Sequence, residues 1–287
     1  MSANAVRGAL RVRGRTLPWG ARTYVMGIVN VSPDSFSGDG DPAAAAAAAR
    51  ARAQLADGAD IIDVGAESTR PGHRPIDAAT ERARLLPAIA AIRAAAPDAI
   101  VSVDTFKADL FLEARASGGD VLNSIWGASD ALIDASARSG APIVVMHNKP
   151  VAVYEHDVVG EVLRSLEDAA ARCVRAGIPA EHVILDPGIG FGKLPEHNLA
   201  VLRSLQRLVA LGFPTLIGTS RKSTIGKLTG RGVEAREFGT AATVALAIAA
   251  GVDVVRVHDV PEQRDVVRVA DAIVRGWRPD GWSERLP

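Results

Sequence analysis

The chain of 287 residues sets 33 Lys and Arg against 33 Asp and Glu and is 48% hydrophobic. Balanced charge without a basic run leaves no nucleic-acid surface, a single cysteine excludes an intramolecular disulfide, and no stretch reaches the ~20 apolar residues of a membrane span. The first twenty residues lack the apolar core of a signal peptide. The expected setting is therefore cytoplasmic, with Cys173 in AARCVRAGI as a buried thiol rather than a nucleophile.

In chain order, ALRVRGRTLPWGARTYV alternates around a turn and predicts a β-hairpin. Eight short β-rich runs follow: Tyr24–Val29, Ile61–Val64, Ile100–Val103, Val121–Asn123, Ile143–Met146, Val183–Leu185, Thr215–Gly218 and Val254–Val257. Ala-, Leu- and Arg-rich stretches of helical period separate them. Pro42 and Pro261 suit helix starts. Gly58, Gly140, Gly177, Gly212 and Gly251 stand where helices should stop before the next strand. Eight βα units over one domain, residues 1–287, predict an α/β (β/α)8 TIM barrel, with the hairpin closing its N-terminal end. A doubly wound open sheet is the alternative. It would gather polar residues at one switch point, whereas here they follow every strand.

Those polar residues are Asn30, Asp63 with Glu67, Asp104, Asn123, His147 with Asn148, Asp186, Ser220 to Ser223, and Arg256 with His258. In a barrel the strand ends and the loops after them meet at one mouth. Any single one of them could be a simple cap or turn residue; the set shares a pattern. Asp104, Asn123 and Asp186 suit the N–H edge of a flat heterocycle, and Lys222 could donate to its carbonyl. Asn30, Arg256 and His258 come from the first and last strands, which adjoin on closure. Arg and His suit phosphate oxygens, and the Asn30 amide oxygen suits a hard cation such as Mg²⁺. Two loops, Asn30–Gly40 and Glu67–Pro75, exceed the roughly 2–6 residues usual after a barrel strand and are rich in Gly, Pro and Ser. They are expected to act as lids.

Six motifs carry a family resemblance: MGIVNVSPDSFS from Met26, DVGAESTRPG from Asp63, VSVDT from Val101, LDPGIGFGK from Leu185, GTSRKS from Gly218 and RVHD from Arg256. The chain resembles the dihydropteroate synthases from about Met26 to its last helix. The resemblance implies an enzyme, a transferase of folate biosynthesis. It would join 6-hydroxymethyl-7,8-dihydropterin pyrophosphate to 4-aminobenzoate and release pyrophosphate.

The resemblance also implies roles. Asp104, Asn123, Met146, Asp186, Phe191, Gly218 and Lys222 would bind the pterin. Asn30, Arg256 and His258 would hold pyrophosphate with Mg²⁺, Asn30 as metal ligand. Asn30, Asp34, Arg256 and His258 would be the catalytic set. Phe36, Ser37, Thr69, Arg70, Pro71, Arg221 and Ser223 would form the loops and the 4-aminobenzoate site. A homodimer on the later barrel helices is expected, as is sulfonamide targeting of the 4-aminobenzoate site. Thr224, the run His147-Asn148-Lys149-Pro150 and Phe106 depart from the family's usual residues. Rival readings are a weak paralogue, a pterin-binding methyltransferase and an idle pterin binder. The methyltransferase would have no use for an anion site at Arg256 and His258, and the idle binder should lack a loop or phosphate residue.

Overall fold

The computed structural model describes residues 8–31, 42–67, 76–279 and 281–282. Ala9–Val12 (β1) and Arg15–Pro18 (β2) pair antiparallel as the predicted hairpin. The eight predicted runs become β3 (Tyr24–Asn30), β4 (Ile61–Gly65), β5 (Ile100–Asp104), β6 (Val121–Ser124), β7 (Ile143–Met146), β8 (Val183–Asp186), β9 (Leu216–Ile217) and β10 (Val254–Val257). They form one parallel sheet in the order β8-β7-β6-β5-β4-β3-β10-β9. The run expected over Thr215–Gly218 shortens to the two residues of β9. A bridge between Leu185 and Thr215, with the Leu185 amide donating 2.8 Å to the Pro214 carbonyl, joins β8 to the approach to β9. The sheet thus closes into the expected (β/α)8 barrel.

Helices alternate with the strands. They are α1 (Pro42–Ala56), α2 (Ala78–Ala95), α3 (Ala108–Ala116), α4 (Asp130–Ser139), α5 (Val158–Arg175), α6 (Pro195–Arg203), α7 (Leu205–Val209), α8 (Ser223–Thr229), α9 (Glu237–Ala249) and α10 (Val260–Val274). Local chemistry sets their limits. Pro42 opens α1, and Pro261 sits in the first turn of α10. Asp157 caps α5 by accepting from the amides of Val159 and Gly160, and Ser129 caps α4. Gly140 ends α4 in the left-handed region at φ 65°, where a side chain would cost energy.

Burial follows the parallel architecture. β5 is buried at all five positions, as a strand packed on both faces must be. Residues facing outward, such as Val29, Val64, Val101 and Ile143, pack under the helices, Ile89 and Leu166 among them. Inward-facing Met26, Ile61, Ile100, Val144 and Ile184 fill the lower barrel together with Leu10, Leu17 and Trp19 of the hairpin segment. Cys173 is buried on α5 in the layer between strands and helices, and burial pushes its thiol up to about 11. No helix among the described residues is long and apolar enough to cross a membrane.

The hairpin plugs the end of the barrel opposite the strand C-termini. Arg13 and Gly14 occupy its turn at φ 51° and 69°, a geometry Asn-Gly usually supplies. Arg13 is held there by Asp120, Nε to Oδ1 at 3.0 Å. Trp19 is fully buried, donates 2.9 Å to the Glu181 carbonyl and meets the Tyr24 ring edge-on at 5.8 Å. Trp19→Ala should therefore destabilise the protein by about 3–5 kcal/mol, the cost typical of emptying so large a buried site. Equilibrium denaturation in urea would measure it. A loss below about 1 kcal/mol would show that the plug carries little of the core's stability.

Candidate active site

Parallel register sets the polar strand ends side by side. Asn30 pairs with Gly65, Gly65 with Asp104, and Asp104 with Asn123. Further round, Met146 pairs with Asp186. Gly65 keeps this row open, since a Cβ there would come within 3.2 Å of Asp104 Cβ. Every described residue of the predicted pterin set except Met146, Asn123, Asp186 and Gly218 lines a cavity of about 390 Å³ at the mouth, which also holds Asn30, His258, Arg221 and Ser223. Met146, Asn123, Asp186 and Gly218 instead line an inner slot with Phe191, Lys222 and Arg256. The structure thus brings the described predicted residues to one mouth. Asp34, Phe36, Ser37, Thr69, Arg70 and Pro71 lie outside the described residues.

An ion cluster ties the row together. Arg256 bonds Asp63 at 2.6 Å and Asp104 at 2.7 Å. Asn123 gives its amide nitrogen to both Asp63 oxygens, at 3.2 and 3.1 Å. With that nitrogen committed, Asn123 has an acceptor oxygen to offer a ligand. Asp63 is among the polar residues read at the mouth but has no assigned role there, although it is fully buried at the centre of this cluster. The signal was available: at the inward-facing middle of an apolar strand, a carboxylate demands a partner. Arg256, expected on the anion side, spans both halves, lining the outer cavity and the inner slot alike.

Burial governs the acidities. It pushes Asp104 up to about 7 against the pull of Arg256, with Asp63 adding repulsion. It pushes Asp186 up to about 6, although Asp186 accepts from the Gly188 amide at 2.7 Å and faces the positive Lys222. His258 is driven down to about 4 by burial and then by Arg256 and Arg221. It is neutral near pH 7, and its Nδ1 lies 3.0 Å from Ser220 Oγ. An anion arriving beside it would favour protonation. Lys222 places its ammonium 3.9 Å from the centre of the Phe191 ring, a cation–π contact at the slot.

The outer wall is braced by Arg221. Its backbone is left-handed at φ 58°, and its guanidinium grips Asp259 at 3.0 and 2.5 Å and Glu234 at 2.6 Å. Arg236 donates 2.9 Å to the Arg221 carbonyl, a second brace the sequence did not suggest. Ser223 opens α8 beside it, exposed at the cavity. The departure at Thr224 has a structural role: its hydroxyl accepts from Asn198, whose amide oxygen holds the Gly190 amide at 2.8 Å.

The chain is similar to known proteins in sequence and in fold. The model of the pterin binding enzyme family matches residues 26–258. The dihydropteroate synthase of Bacillus subtilis is 40% identical over 270 residues, covering 92% of this chain and 93% of the relative. A Clostridium difficile dihydropteroate synthase solved in the presence of pteroic acid superposes with a TM-score of 0.85 at 42% identity, covering 90% of this chain and 98% of that one. A Thermus thermophilus dihydropteroate synthase in complex with 4-aminobenzoate gives 0.81 at 42% identity, covering 92% and 99%.

The raised pKa of Asp186 has a thermal consequence. A carboxyl whose folded pKa of about 6 exceeds its unfolded value of ~3.9 holds its proton more tightly when folded. Its contribution is most favourable below pH ~4 and declines as pH rises towards 6. Asp186→Asn keeps an acceptor for Gly188 but cannot ionise. The Tm of the variant relative to the parent should therefore climb between pH 4 and pH 6, as differential scanning calorimetry would record. A difference flat across that range would mean Asp186 is not destabilised by its burial.

Proposed function

This chain belongs to the dihydropteroate synthases, pterin-binding transferases, and on that premise we propose how its mouth divides the reaction. The chain joins 6-hydroxymethyl-7,8-dihydropterin pyrophosphate to 4-aminobenzoate. The amine nitrogen bonds to the exocyclic CH₂ while the bond from that carbon to the pyrophosphate oxygen breaks. Pyrophosphate leaves with the electron pair, and the new secondary amine sheds a proton to solvent or to pyrophosphate. The observation that carries this reading is the convergence of three buried acceptors, Asp104, Asn123 and Asp186, with the cations Lys222 and Arg256.

In this reading the acceptors take the pterin's N–H edge, and Lys222 donates to its carbonyl. Met146 and Phe191 form the walls of the slot, with Gly218 leaving room beside Arg256. Asp104 and Asp186 would also offset positive charge that develops on the CH₂ as pyrophosphate departs. Arg256 and His258 receive the leaving group, and stabilising that charge lowers the barrier most. Asn30 ends β3 exposed at the same mouth. Its amide oxygen is the kind of hard donor Mg²⁺ takes alongside phosphate and water oxygens. The described residues contain no group of three His, Cys, Asp or Glu that could cage a metal by themselves, which fits an ion shared with the substrate. Bound there, Mg²⁺ would neutralise pyrophosphate charge.

Ser223 and the Arg221 brace would shape the 4-aminobenzoate side, completed by Phe36, Ser37, Thr69, Arg70 and Pro71, with Asp34 at the reacting centre. Loops that order over bound pyrophosphate would make 4-aminobenzoate the second substrate to bind. A cytoplasmic homodimer is part of the same reading. Phe238 and Leu246 on α9 and Ile273 on α10 stand exposed, as an apolar interface on the later helices requires.

Purified protein given pterin pyrophosphate, 4-aminobenzoate and Mg²⁺ should form dihydropteroate, detected by chromatography; no product would reject the reading. Arg256→Ala should weaken binding of the pyrophosphate ester at least tenfold more than binding of the bare hydroxymethylpterin, in keeping with the ~1.5–3 kcal/mol of a charged hydrogen bond. Titration calorimetry with both ligands would show it. Equal losses would remove Arg256 from the anion site.

A further inference from the structure

The segment between β8 and α6, Pro187 to Leu194, carries Phe191 to the slot, and its backbone runs directly against the residues that follow β7. A Cβ at Gly188 would meet the His147 carbonyl oxygen at 2.0 Å, and one at Gly192 would meet the Lys149 carbonyl oxygen at 2.4 Å. Both glycines have positive φ, at 68° and 54°. Lys193 stitches the two segments together. Its ammonium lies 2.9 Å from His147 Nδ1 and donates to the carbonyls of Gly188 and Phe191, each at 3.1 Å, with a longer contact of 3.4 Å to the His147 carbonyl. His147 Nδ1 can only be an acceptor for an ammonium, and burial, which drives His147 down to about 4, keeps that ring neutral. Burial also draws Lys193 down to about 7, against the pull of Asp186.

What Lys193 holds is the floor of the ring slot. The Gly188 carbonyl it bonds also accepts from the Phe191 amide at 3.1 Å, and the Gly188 amide donates to Asp186. One ammonium therefore fixes the backbone on both sides of the Phe191 ring and, through one residue, Gly188, the carboxylate of Asp186. Tyr154 adds a second tie, its hydroxyl donating 2.8 Å to the Gly192 carbonyl. Lys193 itself lines neither the outer cavity nor the slot.

We propose that Lys193 is a positioning residue for the pterin half of the reaction. It latches the Phe191 segment to the end of β7, and so sets the width of the slot and the aim of Asp186 without touching the ligand. Three N–H donors on one flexible stem can satisfy several carbonyls that converge from different directions. A methionine fills the same channel but offers no donor. The proposal rests on the assignment of the slot to the pterin.

The experiment compares steady-state kinetics of Lys193→Met, Tyr154→Phe and Asp186→Asn with the parent, varying each substrate in turn. Lys193→Met should raise KM for the pterin pyrophosphate tenfold or more and leave KM for 4-aminobenzoate within twofold. Tyr154→Phe should raise the same constant severalfold. Loss of pterin affinity in Asp186→Asn with a normal pterin KM in folded Lys193→Met overturns the latch alone. Should Lys193→Met not fold, a normal pterin KM in Tyr154→Phe overturns it. An unchanged pterin KM in Asp186→Asn defeats the slot assignment beneath it. A fall in kcat with both KM values unchanged would mark Lys193 as merely structural and also overturn the proposal.

Discussion

Asp63 and Asp104 sit on neighbouring strands and turn their carboxylates towards the same space inside the barrel, where water cannot screen them. Two buried like charges so placed raise each other's pKa unless a cation stands between them. Arg256, from the strand beyond β3, is that cation, bonded to both. The rest of the mouth is arranged around this contact. Asn123 is turned by the same Asp63, so that its nitrogen is spent and its oxygen remains. Leaving a buried charge without its partner typically costs 3–5 kcal/mol, so the cluster specifies the relative placement of β4, β5, β6 and β10 as well as the chemistry.

The mouth is graded in charge from its acidic interior to its rim. Inside, burial raises Asp104 and Asp186 towards neutrality, a condition that hydrogen bonds to a ligand's N–H groups would reverse. Nearer the rim, His258 is held neutral by burial and then by the cations around it, and is ready to answer an anion. Arg221 is neutralised by Asp259 and Glu234 and acts as a brace, which fixes a left-handed backbone directly before Lys222. The polar groups are thus mostly occupied with one another. Preorganisation of this kind lets a site meet developing charge without reorganising its dipoles.

Loops give the slot its remaining walls, and in this protein some of them are tied as firmly as strands. The Phe191 segment is held by the Lys193 ammonium, the Tyr154 hydroxyl and the Asn198 amide, each from a different direction. His147, Lys149 and Thr224, positions where the chain departs from its family's usual residues, all take part in this stitching or adjoin it.

The sequence by itself determined the barrel. Eight β-rich runs separated by helical periods, with Pro42 and Pro261 at helix starts and five glycines now seen at positive φ, are local signals, and local backbone sterics decide them. It also determined which strand ends carry polar groups, since alternation and position along a strand are one-dimensional properties. Only the tertiary structure decided who meets whom. Arg256 and Asp63 are 193 residues apart, and their contact depends on the pairing of β10, the last strand, with β3, the first strand of the barrel. That pairing gives Arg256 two buried carboxylate partners beside its place at the mouth, and gives Asp63, one of the polar strand residues, its part in the cluster. The Lys193 latch was equally illegible, because a lysine after a glycine-rich turn reads as solvent-facing until another strand's loop is laid across it. Pairing across a closed sheet is set by packing and desolvation over the whole barrel, and no window of sequence contains it.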